Sequence, residues 1–187
     1  MSAAKKLMTG LLLLSAAGCT AASSRMKYSA PTAPPDAGAA KVIFYRTPAY
    51  AGDKLTWEVW DGDQLAGVAE NGGYFEYGCA PGRHVFHLMS GSFLGEGRAV
   101  DAELAGGKTY YIRAHVGTGL EPSPGRSPDE RRKRDDEFGR CGCRELRRDR
   151  VTDERLAKDR EAARKHAEDL RGPRASQCFR MVPEDGD

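Results

Sequence analysis

The chain has 187 residues, a formal net charge of +2 and a mean hydropathy of −0.60. That length allows one domain plus extensions rather than a multidomain assembly. Lys5 and Lys6 account for the positive surplus, so the rest of the chain is near neutral and has no general excess of charge with which to hold a polyanion.

The first 18 residues, "MSAAKKLMTGLLLLSAAG", run from a basic start through an apolar stretch, Leu7 to Ala17, to small residues. The apolar stretch is too short to cross a hydrocarbon core about 30 Å thick as a helix. A basic, then apolar, then small order is that of an export signal. "SAAGC" resembles the lipobox of bacterial lipoproteins, in which the cysteine is acylated and becomes the first residue of the mature protein; here that residue is Cys19. Two or more chains such as palmitate make a stable anchor, at about 0.8 kcal/mol per buried methylene. Thr20 follows, and by the same resemblance the absence of Asp there implies an outer-membrane protein facing the periplasm. Residues 19–40, rich in Ala, Ser and Pro, are expected to form a disordered tether, because they lack the apolar bulk to offset their ordering entropy.

From Lys41 the chain alternates apolar and polar residues, the period of strands with one buried face. Leu55, Trp57 and Val59 share a face; so do Val100, Ala102 and Leu104, and so do Tyr110, Ile112, Ala114 and Val116. Turn signals separate the runs: Asp61-Gly62, Asn71-Gly72-Gly73, Ala80-Pro81-Gly82 and Gly106-Gly107. About seven short strands over 41–118 predict a mainly β fold, a small antiparallel β-sandwich. Tyr74–Gly78 and Arg83–Met89 are expected to form a hairpin through "CAPG". His84 and His87 are three positions apart and fall on opposite faces of a strand, so they cannot share a metal ion. Cys79 falls on the inward parity of Phe75 and Tyr77, and a buried thiol is inert. No metal site and no cofactor are expected.

The ordered motifs "KVIFYR", "VWDGDQLAGVAENGGYFEY", "APGRHVF" and "LAGGKTYYIR", over residues 41–116, resemble the domain-of-unknown-function 2846 family of bacterial lipoproteins and exported proteins. The resemblance implies a small β-sandwich used as a binding or presentation module, without catalytic residues.

Besides Cys19 there are four cysteines, Cys79, Cys141, Cys143 and Cys178. An even number in an exported chain suggests disulfides. A Cys141–Cys143 ring would be strained, so cross-pairing with Cys79 and Cys178 is expected, tying the rear of the chain to the sheet. The alternative for "CGC" is a redox or metal-binding pair.

The rear is densely charged. Residues 119–142 read as an exposed, partly disordered charged loop. Residues 143–187 read as an extension with a strand in "CRELRRDRV", a surface helix at about 153–171 and a final strand in "CFRMVP". Thr152 is the expected helix cap and Gly172-Pro173 the stop. The apolar stripe of Leu156, Ala163, Ala167 and Leu170 is thin, as suits a surface helix. Arg131, Arg132, Lys133 and Arg134 are flanked by enough acids, Asp129, Glu130, Asp135, Asp136 and Glu137, that no nucleic-acid partner is expected. The chain therefore reads as a membrane-anchored, non-enzymatic envelope lipoprotein that docks an envelope protein or surface polymer. The alternatives are a purely structural envelope protein, or an exported thiol-redox or hydrolytic enzyme using Cys141 and Cys143, or His84 with Asp101 or Glu103.

Overall fold

Alternation at period two becomes two sheets packed face to face in the computed structural model, which describes residues 25–89, 98–146 and 153–187. In chain order the elements are β1 (Met26–Tyr28), β2 (Ala40–Tyr45), β3 (Trp57–Asp61), β4 (Gln64–Ala69), β5 (Gly73–Cys79), β6 (Gly82–Met89), β7 (Ala99–Leu104), β8 (Thr109–His115) and β9 (Gly119–Pro122). They continue with α1 (Pro128–Phe138), β10 (Gly142–Leu146), α2 (Asp153–Arg171) and β11 (Cys178–Met181). The first sheet has the order β1-β10-β5-β2-β8-β9 and the second β11-β7-β6-β3-β4. The fold is thus mainly β, a sandwich, and the seven strands expected over 41–118 correspond to β2 through β8.

The core lies where the inward residues of both sheets meet. Phe44 of β2 stacks on Phe75 of β5 at 5.1 Å, and Phe86 of β6 meets Phe44 edge-on at 5.2 Å. Val59, Val100, Ala102, Tyr110 and Ile112 complete its centre and are fully buried. Gly67 in β4 is required here, because a Cβ would sit 2.6 Å from the Phe75 ring.

Three expectations are corrected. The β5–β6 pair is not a hairpin: β5 belongs to the first sheet and β6 to the second. Ala80-Pro81 lacks the positive-φ residues of a two-residue hairpin turn. Gly82 instead takes φ +126°, and the chain crosses between sheets. Nor are residues 25–40 a tether. β1 pairs antiparallel with β10, Met26 is buried, and Thr32 binds Glu76 while Lys41 donates to Thr32 and Ala33. Backbone pairing and charge supply the order that apolar bulk does not. Cys19 and the export segment lie outside the described residues.

The stretch 119–142 is not a loop either. It holds β9 and α1, whose start is a capping box: Glu130 N donates to Ser127 Oγ and Ser127 N to Glu130 Oε2, with Pro128 at the first position. The rear holds the expected strand, helix and final strand: β10 lies parallel to β5 inside the first sheet, and β11 parallel to β7 at the edge of the second. α2 covers the outer face of the second sheet with Ala163, Ala167 and Leu170 buried. Glu161 pairs with Arg164, and Thr152 is outside the described residues.

Candidate functional site

The two histidines of β6 point to opposite sides of the second sheet. His84 faces the interior, its ring parallel to Phe86 at 5.7 Å. Its Nδ1 lies 2.7 Å from Asp61 Oδ2, and its Nε2 lies 2.8 Å from the Ala80 carbonyl oxygen. Both nitrogens face acceptors, so both carry protons. The Asp61 hydrogen bond, then that with Cys79, pushes His84 up to about 10. Asp61 Oδ2 also accepts from the Tyr77 hydroxyl at 3.0 Å. With its ring nitrogens facing Asp61 and the Ala80 carbonyl, and Asp61 also holding Tyr77, His84 forms a hydrogen-bonded lock inside the sandwich. Asp101 and Glu103, expected as partners for His84, project from β7 on the outer face; across from His84 in register is Ala102. Asp61 was read only as a turn residue, and no local pattern in the sequence marks it as a histidine partner.

The "CGC" pair lies on the outer face of the first sheet beneath α1, among Ile43, Tyr45, Tyr74, Tyr111 and Phe138. The Cys141 thiol donates to the Arg46 carbonyl oxygen at 3.3 Å, and burial pushes it up to about 11. α1 is fastened by Phe138, whose ring meets Tyr74 at 4.5 Å, and by Arg134, which lies 4.1 Å over the Tyr111 ring and pairs with Asp187 at 2.6 Å. Glu137 reaches Arg113 at 3.1 Å and accepts from the Tyr45 hydroxyl at 3.2 Å; burial pushes Tyr45 up to about 12. The basic run is therefore divided. Arg134 is buried, Arg132 pairs with Asp129, and Arg131 donates to the Gly125 carbonyl oxygen.

The expected disulfides are absent: Cys79, Cys141, Cys143 and Cys178 are all free thiols. Cys79 packs against the inter-sheet core, Cys141 and Cys143 lie outside the first sheet, and Cys178 lies with Val85 and Ala99 outside the second. A bridge needs Cα atoms within about 7 Å, and these separate layers prevent the cross-pairings. Among the described residues, no group of three or more His, Cys, Asp and Glu is placed to hold a metal ion.

On the outer face of the second sheet, where α2 does not reach, Arg83, Asp101, Glu103, Arg180 and Met181 line an open depression of about 290 Å³. Arg83 grips Asp101 bidentately at 2.9 Å. With one pair satisfied and both signs presented, the depression suits a polar, charge-bearing partner more than an apolar ligand.

Fold and site together define a β-sandwich in which His84, Asp61 and Tyr77 are closed on one another inside, while Arg83, Asp101, Glu103 and Arg180 line an open depression outside. The chain matches no protein-family model, and no curated protein or solved structure is significantly similar to it.

Proposed function

We propose that the protein is a lipid-anchored component of the bacterial cell envelope, a non-enzymatic module that docks an envelope protein or a surface polymer. The observation that carries this reading is the contrast between His84, Asp61 and Tyr77, locked to each other inside, and the charged groups offered outside. The export signal and the lipobox resemblance at Cys19 supply the anchor. Docking falls to the Arg83–Arg180 depression and to the outer face of α2, where Lys158, Arg164 and Lys165 are exposed.

The test is cross-linking mass spectrometry in intact cells with the full chain. Deletion of the rear is unsuitable, because β10 and β11 are built into the two sheets. Charge reversals Arg180→Glu, Lys158→Glu and Lys165→Glu replace it. The expected result is a reproducible partner whose cross-links fall at least fivefold in the reversed variant, and loss of membrane association and of fatty-acyl label on Cys19→Ser. A label retained by Cys19→Ser, or no partner with the anchored protein, would overturn the reading.

A further inference from the structure

The outward histidine of β6 has the opposite environment from its neighbour. His87 is 0% exposed beneath α2, its Nε2 donates to the Gly62 carbonyl oxygen at 2.8 Å, and its Nδ1 is buried with no hydrogen-bond partner. Its ring meets His166 of α2 at 5.0 Å, nearly edge to face. We propose that α2 is an acid-released flap, held over the second sheet while His87 and His166 are neutral and lifted when they protonate.

Three observations carry this. The apolar hold on α2 is slight: among the described residues Ala163 and Ala167 are small, and only Leu170 brings bulk against Val85 and Ala99. A proton on Nδ1 of His87 would have no acceptor, and burying an unpaired charge is costly. The surrounding charges do not relieve it. From α2, Arg171 and His166 face His87, and Asp169 acts on His166. From the end of β3, at its turn into β4, Asp61 is the attractive group, but it is already committed to His84 and Tyr77 on the other face. Asp63, at the same turn, acts on Arg164. Burial pushes His87 down to about 4 and lowers His166 as well. α2 contacts β6 and β4 on either side of β3, so lifting it would also uncover Trp60, which pairs with His87 in register and is 1% exposed.

In the lifted state His87 returns to an ordinary value near 6.5. Between pH 7.5 and pH 5 the opening equilibrium then rises on the order of 30-fold from His87 alone. Hydrogen exchange of the full chain, corrected for the intrinsic pH dependence, reads this directly. Peptides from residues 156–170 are expected to lose protection at least tenfold at pH 5 while β2 and β8 keep theirs. His87→Gln, uncharged and still able to donate to Gly62, should abolish the change; if it does not fold, His166→Gln on the half-buried side should move the midpoint to lower pH. Unchanged α2 protection down to pH 4.5, simultaneous loss across both sheets, acid release persisting in His87→Gln, or an unshifted midpoint in His166→Gln would overturn the proposal.

Discussion

Replacing Asp61 with alanine is expected to destabilise the protein by about 3 kcal/mol at pH 6.5, toward the low end of the range for breaking a buried ion pair. The low end applies because the His84 side chain keeps 15% exposure and retains the Ala80 carbonyl as a partner. Tyr77 loses its acceptor as well. The pH dependence distinguishes this from ordinary core damage. His84 is raised to about 10 in the folded chain and titrates near 6.5 in the unfolded one. Its contribution is therefore complete below pH 6.5, declines as pH rises, and is gone above 10. Urea melts from pH 6 to 10.5 should show that alkaline decline in the native protein, with a much shallower one in Asp61→Ala. Equal slopes in the two proteins would show that His84 is not held protonated by Asp61.

Phe86→Ala is expected to cost more, about 3–5 kcal/mol, as usual for an aromatic ring deleted from a core that cannot collapse. Phe86 is fully buried and touches the rings of Phe44, Tyr77 and His84, so the void opens between the sheets and the lock loses its stacking surface. With a urea slope of about 2 kcal/mol/M, the midpoint should fall by roughly 2 M. Tyr50→Ala, at a side chain 98% exposed, is the control and should change stability by less than about 0.5 kcal/mol. A Phe86→Ala loss no larger than the control's would show that the two sheets do not share this core.

What was legible in the sequence was the alternation. Trp57, Val59, Val100, Ala102, Tyr110 and Ile112 declare their shared faces, and the sandwich follows. Strand partners were less legible, because a short connector such as Ala80-Pro81 can close a hairpin or cross between sheets. Only the lack of a positive-φ pair argued against the hairpin. α1 was hidden by its charge. It docks through Arg134 and Phe138 instead of an apolar stripe, and only the Ser127-x-x-Glu130 capping box and Pro128 mark its start. The Asp61–His84 contact joins residues 23 positions apart through the pairing of β3 with β6, and no local pattern carries it. The cysteines misled for the same reason: their number is a property of the sequence, whereas their division among three layers is a property of the topology.

The most direct measurement is native thiol labelling of the purified mature protein at pH 7.5, followed by labelling after unfolding. A pKa of about 11 leaves Cys141 with roughly 300-fold less thiolate than an ordinary cysteine at that pH. For a docking module with inert structural thiols, Cys141 and Cys143 should resist the reagent until the sandwich is unfolded and then react fully. Rapid reaction of either one in the folded protein, or a Cys141–Cys143 disulfide that exchanges with added thiol, would contradict the non-enzymatic reading and make the pair beneath α1 a redox centre.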